Sequence, residues 1–344
     1  MKYPRFLSKG DKITFIAPSF GATTEPYQTK VRAAIRKFKK LGYEVAIGEN
    51  VDKAILPYIS NEPKLCAKEF MDHYASDASL LLSVGGGELQ CETLPYIDFD
   101  KLKNSEPTWF CGFSDNTNYS FLLATLADTA AIYGVCAGAF GMYRWYDNIS
   151  QCYNLLTGSD LIVKGYDKYQ GKWTSYQERH PLASYHLSKE KILTCYPDEE
   201  LSFEGRLLGG CLDILILLCG TKYDKVKEFN YKYANDGTIW FLEACDLTAL
   251  SYRRALFQLK EAGWFDTAKG FIIGRPARAF NDEAFSIDRF SALDIIKDLN
   301  VPIVADADLG HINPSMPIIT GSYAKVQVKN NNIEIAMELK WLKK

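Results

Sequence analysis

Thr108-Trp109-Phe110-Cys111-Gly112-Phe113-Ser114-Asp115-Asn116-Thr117 is an apolar run that breaks into a Gly-x-Ser turn and then into helix-opening residues. A buried strand feeding directly into a helix is the unit from which parallel sheets are built. Such a turn lifts a hydroxyl above the sheet and aims the amides of a helix start at its surroundings. Acyl transfer needs that combination, a nucleophile beside donors for a developing oxyanion. Serine is also a common helix N-cap, so the segment alone leaves both roles open for Ser114. The last position of the turn is Asn116 rather than glycine, so the GxSxG pattern is not met.

Outward from that turn, strand-like and helix-like segments alternate. Residues 12–17 read as a buried strand ending at Pro18. Residues 27–41 place Val31, Ala34, Ile35, Phe38 and Leu41 at helical spacing, with Gly42 as the stop. Residues 43–47, 80–84, 108–113 and 130–135 read as strands, and 63–74 as a helix. The alternation predicts a parallel sheet covered by helices on both faces. Sites in such sheets lie beyond the carboxyl ends of the strands. Gly85-Gly86-Gly87 and Ser114 both fall at such ends and are expected to share a crevice.

The pattern breaks between about residues 157 and 200. Residues 164–196 are rich in Tyr, Lys, Glu, His and Pro and carry little periodicity, as a linker or lid would. Strand and helix signals resume with 201–208, the Gly209-Gly210 pair and the apolar segment 212–218. A strand over 238–242 ends at Glu243, a helix follows over 251–261, and 270–273 and 302–305 read as strands. Residues 324–328 and 333–336 form a hairpin around Asn330-Asn331-Asn332. The expected division is a first α/β domain over 1–160, a linker or active-site lid over 161–200, and a second domain over 201–344.

Composition excludes several classes of function. The 344 residues are 47% hydrophobic and 24% charged with a net charge of −2, so no basic field draws nucleic acid or an anionic membrane. No apolar stretch approaches the roughly 20 residues of a spanning helix. Met1-Lys2-Tyr3-Pro4-Arg5 lacks the apolar core of a secretory signal. Nine cysteines, an odd number without CxxC spacing, point to free thiols in a reducing cytoplasm rather than disulfides or a zinc site. GxGxxG spacing and a P-loop lysine are both absent.

A serine nucleophile needs a base and an acid that orients it. Of four histidines, His73 lies in a charged helical stretch, and His180 and His186 lie in the irregular segment. His311 follows a buried strand in Asp306-Ala307-Asp308-Leu309-Gly310-His311-Ile312-Asn313-Pro314, and is the base candidate by elimination. Glu243, at the end of an apolar strand, is the candidate acid, with Asp246 as competitor and helix capping as its alternative role. Asp306 and Asp308 lie too near His311 in sequence to be preferred and are expected to cap its loop. The amides of Gly85-Gly86-Gly87 are candidate oxyanion donors, or simply a tight turn.

These pieces together resemble a known family. Ile16-Ala17-Pro18-Ser19, Gly85-Gly86, Leu94-Pro95-Tyr96-Ile97-Asp98-Phe99-Asp100, Gly112-Phe113-Ser114-Asp115-Asn116-Thr117, Gly205-Arg206-Leu207-Leu208-Gly209-Gly210, Phe241-Leu242-Glu243 and Gly310-His311 stand in the order found in the LD-carboxypeptidase family of serine peptidases. That family includes the microcin C self-immunity peptidases. Each motif alone is weak; their order and spacing over nearly the whole chain are specific.

The resemblance implies an N-terminal three-layer domain on a parallel sheet and a C-terminal α/β domain containing a small β-barrel-like sheet. It implies a cytoplasmic homodimer that uses no metal or cofactor. It assigns a Ser–Glu–His triad to Ser114, Glu243 and His311, and oxyanion donors to the amides of Asp115 and of Gly86 or Gly87. The reaction implied is removal of a C-terminal residue, D-Ala from a murein tetrapeptide in the founding branch. In the microcin branch the target is an amide between an amino acid and a nucleotide-like group. Glu88 departs from the family pattern and would either meet a substrate amine or face solvent. Trp173 and Tyr185 would stack on a ligand ring or merely pack. Two rival classes are a non-enzymatic muropeptide-binding protein and a glutamine-hydrolysing amidotransferase, which usually carries Cys where this chain has Ser114.

Overall fold

The computed structural model describes residues 1–56, 59–171, 174–278 and 293–341. The chain divides into two compact units. Its strands are β1 (Lys12–Ile16), β2 (Glu44–Ile47), β3 (Leu80–Ser83), β4 (Trp109–Gly112), β5 (Ala131–Tyr133), β6 (Ile162–Lys164), β7 (Lys168–Tyr169), β8 (Lys189–Glu190), β9 (Thr194–Tyr196), β10 (Leu201–Cys211), β11 (Thr238–Glu243), β12 (Ala268–Gly274), β13 (Ile303–Ala307), β14 (Ile318–Thr320), β15 (Tyr323–Lys329) and β16 (Asn332–Glu338).

The first unit comprises Met1–Leu161, Lys172–His186 and Pro317–Ile319. Its sheet runs β14-β5-β4-β3-β1-β2, and β5, β4, β3, β1 and β2 are mutually parallel. Every residue of β3, β4 and β5 is buried, as expected of a sheet covered on both faces. The helix Tyr27–Lys40 turns Val31, Ala34 and Phe38 to the core and ends before Gly42, whose φ of +93° suits glycine. Chain order reverses between β1 and β3, so the crevice beyond their carboxyl ends is the switch point where such folds place ligands. The turn after β3 carries Gly85-Gly86-Gly87, and the turn after the adjacent β4 carries Ser114.

The second unit comprises Ile162–Gly171, Leu187–Met316 and Thr320–Lys344. Its sheet runs β6-β16-β15-β10-β11-β12-β13-β9. The four central strands, β10 to β13, are parallel, and the flanking pairs are antiparallel. The α/β class expected from sequence is present, but among the described residues the expected barrel-like element is an open eight-stranded mixed sheet with no closed barrel. β10 runs on to Cys211, through the glycine pair that follows the strand signal of 201–208. A Cβ on Gly209, at φ +155°, would lie 1.8 Å from the Phe241 carbonyl, so the missing side chain permits close strand packing. The hairpin of β15 and β16 turns on Asn330 and Asn331, at φ +50° and +59°.

The irregular stretch has short elements of its own: β7 with β8, β9 at the edge of the second sheet, and a helix at Ser175–Arg179 with a capping box on Thr174. None of the nine cysteines is in a disulfide. Among the described residues no helix is long and apolar enough to cross a membrane.

Candidate active site

In the first unit, Ser114 stands between β4 and the helix Thr117–Thr125 with φ of +65°. This left-handed conformation costs an L-residue about 1–2 kcal/mol and aims the side chain off the strand end. Local packing holds it. The Ser114 amide donates to the Tyr133 hydroxyl at 3.1 Å. A Cβ on Gly112 would fall 2.7 Å from the Asn116 side chain, so glycine lets the turn fold tightly. Asn116 donates to the Gly85 carbonyl at 2.9 Å and to the Phe113 carbonyl at 3.0 Å. The residue that breaks the GxSxG pattern therefore ties the glycine turn to the serine turn. A Cβ on Gly86 would lie 3.1 Å from Ser114 Cβ and 3.2 Å from its Oγ, so these two turns meet as their shared position at the strand ends predicts.

The Asp115 carboxylate is buried beneath the same turn. It accepts from the Ser19 hydroxyl, from the Gln90 amide at 3.0 Å and from Asn118 at 3.0 Å. Burial pushes its pKa above the usual carboxylate range, against the pull of these donors. Sequence reasoning assigned Asp115 a backbone amide role alone and missed this clamp.

In the second unit, Glu243 is the last residue of β11 and has no exposed surface. His311 lies in the loop after β13, and its Nδ1 is 2.8 Å from Glu243 Oε2. β12 separates β11 from β13, and two glycines let the loop cross its end. A Cβ on Gly274 would lie 2.2 Å from the Leu309 carbonyl, and one on Gly310, at φ +105°, 2.5 Å from Glu243 Oε2. Burial works against a charged imidazole, but the Glu243 carboxylate and a hydrogen bond with the Cys245 side chain outweigh it and hold the His311 pKa well above the usual value.

The loop is anchored from behind. The buried Asp308 carboxylate pairs with Arg275 and accepts from the Tyr166 amide at 2.7 Å, while Arg275 also donates to the Asp306 carbonyl at 2.6 Å. Asp308 thus fastens the loop to neighbouring chain. Asp246 donates its amide to Asp213 at 3.0 Å, and it is Glu243 that meets His311.

The remaining predicted positions scatter. Gly87 has φ +148° in the glycine turn, and Glu88 is exposed beside it. Tyr185 packs edge-on against Tyr146, with its hydroxyl 3.4 Å from the Asn148 amide. Trp173 lies outside the described residues. Cys211 and Cys245, both against the Glu243–His311 pair, were singled out by no sequence signal. The one available clue is that Cys211 ends β10 as Glu243 ends β11.

Comparison with known proteins places the chain in a family. Residues 13–134 match the family model for the LD-carboxypeptidase N-terminal domain, and 204–326 that for the LD-carboxypeptidase C-terminal domain. The chain is 24% identical to YocD of Bacillus subtilis, over 94% of this chain and 96% of that protein. It is 24% identical to the microcin C7 self-immunity protein MccF of Escherichia coli, over 96% and 94%. Among solved structures, an MccF-like protein from Bacillus anthracis superimposes with a TM-score of 0.81 at 22% identity, covering 98% of this chain and 100% of the other. MccF in complex with glutamyl sulfamoyl guanosine gives 0.78 at 20%, covering 98% and 99%.

Proposed function

The chain belongs to the LD-carboxypeptidase family of serine-type peptidases, and from that premise we propose that Ser114, Glu243 and His311 act together as a catalytic triad. The observation that carries the reading is the 2.8 Å contact between His311 and the fully buried Glu243. A carboxylate there fixes the imidazole tautomer, leaves the other ring nitrogen as proton acceptor and stabilises the imidazolium that forms.

In this reading Ser114 Oγ attacks the scissile carbonyl carbon as His311 takes its proton. The negative charge on the carbonyl oxygen is met by the amides of Asp115 and of Gly86 or Gly87. The C–N bond breaks, the leaving amine takes the proton from His311, and an ester to Ser114 remains. Water, deprotonated by His311, then cleaves that ester.

The substrate proposed first is a small peptide with a scissile C-terminal amide, such as a murein tetrapeptide losing D-Ala. A second reading, an amide between an amino acid and a nucleotide-like group, is supported by the likeness to MccF and its complexes with aminoacyl sulfamoyl nucleosides. Turnover of both compound classes by the purified chain separates the two. Ser114→Ala and His311→Ala are expected to be almost equally inactive while folded, because triad members act as a unit. Near wild-type turnover by Ser114→Ala would refute the triad. The homodimer implied by the resemblance belongs to the same reading and is tested by sedimentation equilibrium.

A further inference from the structure

We propose that Cys211, Glu243 and His311 form a binding site for a thiophilic divalent cation of the Zn2+ class, and that its occupancy silences His311. One donor atom from each of the three lies within 4.8 Å of the other two. The placement follows from the fold. Cys211 and Glu243 end adjacent parallel strands and are partners in register, so their side chains leave the sheet on the same side. His311 is brought over them by the loop across Gly274 and Gly310.

The donor set is one sulfur, one imidazole nitrogen and one carboxylate oxygen; the Cys245 side chain, outside that cluster, hydrogen-bonds to the same imidazole. Tetrahedral zinc with bonds of about 2.0–2.3 Å spaces its donors roughly 3.3–3.6 Å apart. Binding therefore requires donors up to 4.8 Å apart to draw in and the His311–Glu243 pair, at 2.8 Å, to part. Sulfur and imidazole favour Zn2+, Cd2+ and Co2+ over Mg2+ or Ca2+. The scattered cysteines have no metal-binding spacing in sequence; strand register creates the cluster.

Binding is a ligand exchange with no redox change. The Cys211 thiol releases its proton to solvent, and the proton between His311 Nδ1 and Glu243 leaves with it. The thiolate, the ring nitrogen and the carboxylate oxygen then donate their lone pairs to the cation. The imidazole is no longer oriented and made basic by Glu243. This second half of the proposal rests on the triad reading; the binding half does not.

The test is titration of the full-length chain, and separately of its Ser114→Ala variant, with Co2+. One equivalent is expected to give tetrahedral visible bands and a sulfur-to-cobalt charge-transfer band, both displaced by Zn2+ and untouched by millimolar Mg2+. Cys211→Ser is expected to weaken binding at least about tenfold. Cys245→Ser serves as a second variant with loss or shift of the same bands. Absence of the charge-transfer band in wild-type protein overturns the site whatever the variants do, as does equal Co2+ affinity in wild type and folded Cys211→Ser. Fluorophosphonate labelling of the wild type is expected to fall as Zn2+ fills the site and to recover with chelator. Stoichiometric Co2+ binding with unchanged labelling overturns the silencing alone. Labelling absent even without metal refutes the triad reading and leaves the binding result standing.

Discussion

Replacing Ser114 by glycine is expected to raise stability while abolishing activity. Ser114 sits at φ +65°, where an L-residue pays about 1–2 kcal/mol that glycine does not. Glycine has more freedom to lose on folding, about 0.5–1 kcal/mol. The net gain is about 0.5–1 kcal/mol. Ser114→Ala is the control, because it removes the same hydroxyl but keeps the Cβ and therefore the strain. Both variants retain the Ser114 amide that donates to Tyr133. In urea unfolding followed in the first unit, the glycine variant is expected to exceed the alanine variant by that amount. In melting temperature this is about 1–4 °C for a unit of this size. Neither variant reacts with a fluorophosphonate. A glycine variant no more stable than the alanine variant would show that the turn stores no strain, and the argument that Ser114 holds its conformation for chemistry would fail.

Three further outcomes are expected. Glu243→Gln removes the carboxylate 2.8 Å from His311 Nδ1 and is expected to lower hydrolysis about 10³–10⁴-fold; a loss below about tenfold in a folded variant would remove Glu243 from the triad. Gly86→Ala puts a methyl 3.1–3.2 Å from Ser114 Cβ and Oγ and is expected to slow fluorophosphonate labelling about 100-fold while unfolding shifts by less than about 1 kcal/mol; unchanged labelling would separate Gly86 from the site. Burial pushes the Glu69 carboxyl up to about 7, against the amides of Asn50 and Ala17 that donate to it. The folded state therefore holds this proton more tightly than the unfolded chain. The associated stability is complete below about pH 4.5 and lost as pH rises through about 7, a change of about 3 kcal/mol. Glu69→Gln is expected to flatten that component of the pH profile, measured by urea unfolding at pH 4.5 and 7.5, and identical profiles would contradict it.

The elements legible in sequence are those with strong local signals. Residues 27–40 and 63–74 are helical as their apolar spacing and stop residues require, and β1, β3, β4 and β11 lie where short apolar runs meet turns. Strand order was not legible, because pairing depends on which edges meet in space. β10 passes through Gly209 and Gly210, and the Phe241 carbonyl lies where a Gly209 side chain would be, a contact invisible without β11 beside it. The strands within 164–196 are too short for periodicity to register. His311 was reachable because histidines are scarce, and Glu243 because a carboxylate closing an apolar run stands out. Asp308 was read as a local cap, but its carboxylate meets Arg275, 33 residues away, and no local pattern encodes that pairing. Cys211 escaped for the same reason, being paired with Glu243 only through strand register.

The place of β14 in the first sheet has a consequence for biosynthesis. That strand, beside β5 at the sheet edge, comes from residues 318–320, although the other five strands are complete by Tyr133. At about 5–20 residues added per second, β5 waits roughly 10–40 s for its neighbour to be translated. Through that interval a nascent chain exposes an open backbone edge, the kind of surface that chaperones shield and that promotes mispairing. Ribosome-bound chains halted before and after this strand emerges are therefore expected to differ in the protease resistance of the first unit, and equal resistance would mean that β5 needs no such partner.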